Sequence, residues 1–238
     1  MKKIKFISIA IIIACISFSV TFTGCMKLQK DYDRVTNVDT LDAHVYNTAW
    51  GYLKSRAYAN KTVSDTIFRR MYDGIIYSGI DTLEYTKPSR TFIFLTNGAI
   101  TSSTGLWGKV LNGTTAGKNW ASYSKTDVKN YLSYLIMLGQ YSHYNLKLTD
   151  VLSATLAPAG VYTTNPTTFK FNTGTFVANP NSLLAIHVSN ANTVTSQLDY
   201  PLVLNGSVNI NTSDLLATNG VIQVINSSSS VVTPFLPQ

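Results

Sequence analysis

Three histidines, His44, His143 and His187, are the side chains best suited to proton transfer near neutral pH. None has a chemical partner at a telling spacing. No His-x-x-x-His pair and no cysteine pair supplies a metal-ligand set, so no metal and no cofactor is expected. No Gly-x-Ser-x-Gly elbow presents a nucleophilic serine, and no glycine loop could cradle a phosphate. Acidic residues are sparse, and Asp214 reads as the cap of a short turn. The chain is therefore expected not to be an enzyme. A pocket joining two acids, or a histidine and an acid, would reverse that expectation.

What remains is chemistry of contact. Tyr141-Ser142-His143-Tyr144 is the one polar-aromatic knot. Two readings fit it: a recognition patch, because aromatic faces stack on sugars and peptides, or packing at a corner between helix and strand. Residues 101–124 are rich in Gly, Ser, Thr and Asn yet carry Trp107, Trp120 and Tyr123. The tryptophans either anchor this long loop or form an exposed platform. Trp107, Trp120, Tyr141, His143 and Tyr144 are the candidate binding residues. His187 lies in the apolar run Leu183–Val188 and reads as a satisfied core or edge histidine.

The N-terminus predicts where such contacts would be made. Lys2, Lys3 and Lys5 precede an apolar run from Phe6 to Phe22, the layout of an export signal. Phe22-Thr23-Gly24-Cys25 resembles a bacterial lipobox, with Phe in place of the usual Leu. In that reading residues 1–24 are a lipoprotein signal peptide. Cys25 becomes the lipidated first residue and residues 25–40 a tether. Cys15 lies in the apolar run, so the mature chain has one cysteine and no internal disulfide. Met26 after the cysteine, by analogy with lipoprotein sorting, favours the outer membrane of the cell envelope, on the periplasmic or the surface face. The formal charge is +7. Without the three signal lysines it becomes 16 basic against 12 acidic residues, with no clustered stripe. No nucleic-acid partner is expected.

The elements that would position the contact residues follow from periodicity. Leu41, Val45, Ala49 and Leu53 recur at helical spacing, capped by Asp39 or Thr40. A second helix runs from a Ser64 cap through Ile67, Phe68, Met71, Ile75 and Ile76 to Gly79. Thr91 onward is a buried strand, ended by Thr96-Asn97-Gly98. Thr126 caps a third helix that ends at Gly139. Beyond Leu146 the chain turns to short strands. Phe169–Phe171 and Thr175–Val177 form a hairpin around Asn172-Thr173-Gly174. Leu183–Val188 is a strand, and Leu202–Leu204 and Val208–Ile210 flank Asn205-Gly206. Asn219-Gly220 is a turn that tolerates positive φ and opens a core strand over Val221–Ile225.

The run Ala217-Thr218-Asn219-Gly220-Val221-Ile222-Gln223-Val224-Ile225 closely resembles the second motif of fasciclin domains. Thr91 to Ile100 resembles the first, with Thr91, Ile93, Thr96, Asn97 and Ala99 in register and Leu95 where the family has Pro. Tyr134, Gly139 and Tyr141 keep the pattern between the motifs. Leu135 and Gln223 stand where the family has His. The resemblance spans about residues 41–236, and residues 41–238 are taken as one fasciclin-like domain. It implies an α+β fold, a β-sandwich or wedge with several packed helices. It also implies a non-catalytic role in cell adhesion or in binding glycan, matrix or an envelope protein. The alternative is an accessory subunit of an outer-membrane polysaccharide-uptake complex. Thr96, Asn97, Thr218, Asn219 and Gly220 are then fold-motif residues.

Overall fold

The computed structural model describes residues 45–58, 66–112, 115–116, 119–172, 176–189, 200–226 and 231–235. The expected signal peptide, Cys25, the tether, His44, and the caps Asp39, Thr40 and Ser64 lie outside the described residues.

The architecture is α+β, organised on two strands far apart in sequence. β1 (Arg90–Leu95) and β11 (Gly220–Ile225) run parallel, in register from Arg90 opposite Gly220 to Leu95 opposite Ile225. Thr91–Leu95 and all of β11 are buried, which explains why both read as nearly unbroken apolar runs. β10 (Thr212–Ala217) pairs antiparallel with β11, and β4 (Ile136–Met137) antiparallel with β1, giving the order β10-β11-β1-β4. A second sheet is β5 (Val151–Ala154), β7 (Leu183–Val188), β8 (Leu202–Leu204) and β9 (Val208–Asn209). The two sheets meet at a bridge between Met137 and Thr155. A small third sheet joins β3 (Thr115–Ala116), β2 (Val110–Asn112) and β6 (Lys170–Phe171).

Among the described residues five α-helices accompany the sheets. They are α1 (Ala49–Ser55), α2 (Arg69–Ser78), α3 (Asn97–Thr101), α4 (Leu106–Lys109) and α5 (Lys125–Tyr134). α2 packs on α5, and it stops at Gly79, which takes the left-handed conformation at φ 70° as expected of a C-terminal glycine. α1 starts later than the periodicity suggests, because the Thr48 hydroxyl accepts from the Gly51 amide and residues 45–48 are not helical. The third helix is likewise capped by Ser124, not Thr126: the Ser124 hydroxyl accepts from the Asp127 amide. It ends at Tyr134, not Gly139, since Ile136 and Met137 leave it to pair with β1.

One of two expected hairpins gives way to long-range pairing. β6 does not pair with residues 176–177, and residues 173–175 lie outside the described residues; Val110 and Leu111 of β2 take Phe171 and Lys170 instead. Leu202–Leu204 and Val208–Asn209 do form a hairpin, with Asn205 at φ 45° and Gly206 at φ 68°. Gly220 is glycine for a different reason from the one its turn suggested. Its φ is not positive; a Cβ there would lie 2.1 Å from the Arg90 carbonyl oxygen. The two central strands approach so closely at their start that no side chain fits.

Candidate functional site

The fold-motif residues act as joints between elements. Thr96 caps α3 by accepting from the Ala99 amide and donates to Asn226 Oδ1, so the ends of β1 and β11 are tied together. The Asn97 side chain accepts from the Arg70 amide and donates to the Thr66 carbonyl, holding the start of α2. Asn219 is buried; it accepts from the Ala49 amide and donates to the carbonyls of Tyr85 and Lys87. The Thr218 amide donates to the Asn47 carbonyl. A shallow recess lined by Thr66, Ile67, Thr96, Asn97, Gly98 and Asn226 lies where the two motif strands end.

The candidate contact residues part into two groups. Trp107 and Trp120 are 4% and 5% exposed and meet edge to face, with ring centroids 5.5 Å apart. Trp120 also donates its indole N–H to the Arg70 carbonyl. An exposed platform is therefore not what they form: they are core residues, and Trp120 pins the 3₁₀ turn it begins against α2. The region is not a bare loop either, since α4, β2, β3 and a 3₁₀ turn at Trp120–Ser122 occupy much of it.

The knot at 141–144 is a built corner. His143 and Ser142 are buried, Tyr141 is half-buried, and Tyr144 is 57% exposed. The imidazole of His143 bridges two elements. Nδ1 lies 2.6 Å from Asp214 Oδ2, and Nε2 lies 2.7 Å from the Tyr200 carbonyl oxygen. The His143 amide donates to the same carboxylate oxygen. Asp214 is not a helix or turn cap but the centre of an irregularity in β10, at φ 58°, where the pairing with β11 shifts between Thr212 and Leu215. Gln223, fully buried on β11, splints this bulge. Its Oε1 accepts from the Asp214 amide, and its Nε2 donates to Asp214 Oδ1 and to the Tyr141 carbonyl. Burial pushes the Asp214 carboxyl up, but the hydrogen bonds from His143 and Gln223 outweigh it, and the net shift is downward.

This arrangement orients one exposed ring, that of Tyr144, on a corner locked to the edge of the central sheet. Chemically it is a histidine–acid pair whose two ring nitrogens both face acceptors, so neither is held ready to take a proton from a substrate. His187 also meets an acid, with Nδ1 2.6 Å from Asp150 Oδ1 across β7 and β5 on a half-exposed face. Among the described residues no group of three or more His, Cys, Asp or Glu side chains could hold a metal ion.

Two aromatic and acidic contributions escaped the reading of the sequence. Asp214 and Gln223 lie 71 and 82 positions from the corner residues they hold, too far for any local spacing to reveal. The second is an aromatic chain on the α1–α2 side. Trp50 stacks on Tyr72 at 5.4 Å, Tyr58 meets Tyr72 at 5.2 Å, and the Arg69 guanidinium sits 4.0 Å over Tyr58. Their clustering in sequence was the only available signal.

No family model matches the chain, and no curated protein matches its sequence. Among the described residues no helix is long and apolar enough to cross a membrane.

Proposed function

We propose that the chain is a lipid-anchored, fasciclin-like module of the cell envelope that binds without catalysis, as an adhesion protein or a receptor for glycan, matrix or another envelope protein. The observation that carries this reading is the pairing of the two motif runs. They are 130 residues apart, yet they form adjacent parallel strands whose ends are joined by the Thr96–Asn226 hydrogen bond. Two runs selected only for wording would have no reason to meet strand against strand in register. The contact surface is assigned to the corner bearing Tyr144, because a large ring exposed on a rigid mount loses little entropy on binding. Anchorage through Cys25 would present this corner at the outer membrane.

Protease shaving of intact cells, followed by a glycan and matrix array probed with the full chain, tests both halves. Binding that falls at least tenfold for Tyr144→Ala, with the fold intact, supports the assignment. Unchanged binding moves the surface elsewhere, and the aromatic chain of Trp50, Tyr58 and Tyr72 would then be the place to look. Co-purification of an outer-membrane transporter would favour the reading as an accessory subunit of a polysaccharide-uptake complex.

A further inference from the structure

The corner is fastened by a bond whose proton count can be read from geometry. A carbonyl oxygen carries no proton, so the 2.7 Å approach of His143 Nε2 to the Tyr200 carbonyl requires a proton on Nε2. The 2.6 Å approach of Nδ1 to Asp214 Oδ2 requires another proton between those atoms. That proton belongs either to an imidazolium facing a carboxylate or to a carboxylic acid donating to a neutral ring. In both cases the docked pair holds one proton more than a neutral imidazole beside a free carboxylate. Withdrawing it would leave two lone pairs aimed at each other in a buried place. Among the described residues, Asp214 from β10 and the Tyr200 carbonyl from the segment ahead of β8 hydrogen-bond to the ring, and Gln223 from β11 holds the other oxygen of Asp214. On the corner itself Tyr141 and Tyr144 flank it. Of these, Asp214 alone carries a charge near neutrality.

We propose that the His143–Asp214 bridge is a proton-operated latch. Residues 142–146 stay docked on the β10 bulge and on Tyr200 while the bridge keeps its proton, and they loosen when it is lost; Gly139 and Tyr141 remain tied to Thr91 and Gln223. Three elements converge on this single ring, so one deprotonation unfastens contacts on both sides of it. The Gln223 splint does not titrate, and it keeps the bulge and the Tyr141 carbonyl in place when the residues beyond Tyr141 loosen. The sign follows from the proton count. Once released, His143 titrates as an ordinary exposed histidine, near pH 6.5. Docking is at full strength from about pH 5 up to that value and weakens as the pH rises above it. The released population grows by up to tenfold per pH unit until the docked bridge itself gives up its proton.

The test is a pH titration of the full chain followed by ¹⁵N NMR of the His143 ring and by hydrogen exchange of the amides in 141–146. The latch predicts that the proton shared by Nδ1 and Asp214 Oδ2 persists well above pH 6.5, so that the ring nitrogens keep their docked ¹⁵N shifts there. It also predicts that the His143 amide exchanges faster with rising pH, beyond the increase caused by hydroxide alone. In His143→Gln the excess should vanish. A His143 ring that titrates as a free histidine would overturn the proposal, and so would the same excess in His143→Gln. Should that variant fail to fold, the ring titration of the unaltered protein decides alone.

Discussion

At the scale of single residues, exposure separates those that hold the fold from those available for contact. Asn219 satisfies one buried amide and two carbonyls from segments more than a hundred positions away in sequence. Replacing it with Ala orphans all three, and a buried unsatisfied group costs about 1–3 kcal/mol. Asn219→Ala is therefore expected to lower stability by about 3 kcal/mol in urea denaturation. Asn219→Asp should fare worse, because it sets a negative charge against the carbonyls of Tyr85 and Lys87. The tryptophans make the opposite point about function. Trp120→Ala should cost about 3–5 kcal/mol, as expected for emptying a core site. Any loss of binding in that variant would come from unfolding. Tyr144→Ala should shift stability by no more than about 0.5 kcal/mol. Thermal melts of the two variants, run beside the binding assay, tell these apart.

At the scale of elements, two glycines of the same composition are expected to behave differently. Gly79 ends α2 in open space, and only its φ of 70° resists a side chain. Gly79→Ala should cost about 1 kcal/mol. Gly220→Ala drives a Cβ into the Arg90 carbonyl at the start of the central strand pair. It should cost several times more and reduce the yield of folded protein, which expression trials and melts will show. This contrast also marks what the sequence could disclose. β1, β11, α2 with its glycine stop, and the Asn205-Gly206 hairpin were legible because each is written in one local run. The 169–177 hairpin was misread because Phe171 finds Val110, some 60 positions earlier, rather than its neighbour. The site was less legible than the fold. His143 was visible as a chemical group, but its burial and its carboxylate depend on a bulge in β10. In the sequence that bulge shows only as Ser213-Asp214 interrupting the apolar pattern.

At the scale of the molecule, its carboxylates make stability depend on acid. Asp214 is shifted downward in the folded state. So is Glu84, chiefly through its hydrogen bond with Lys87 and then that with Arg90. A group with a depressed folded value stabilises above its unfolded value, about pH 4, and that contribution is lost as pH falls through the folded value. Urea midpoints should therefore hold steady from pH 6 down to about pH 5 and then drop. Asp214→Asn should flatten part of that drop and lower the plateau.

The parallel pairing of β1 with β11 has a consequence for how the chain comes to be. The partner of a strand made at residue 90 is not synthesised until residue 225, so the central sheet cannot close on a nascent chain. Contacts of such long sequence separation pay their loop-closure entropy late and fold slowly. A polypeptide that stays open until its last strand exists is one that translocation machinery can still thread. Truncation just before Gly220 would leave β1 with an unpaired apolar edge, a template for aggregation rather than a smaller folded protein.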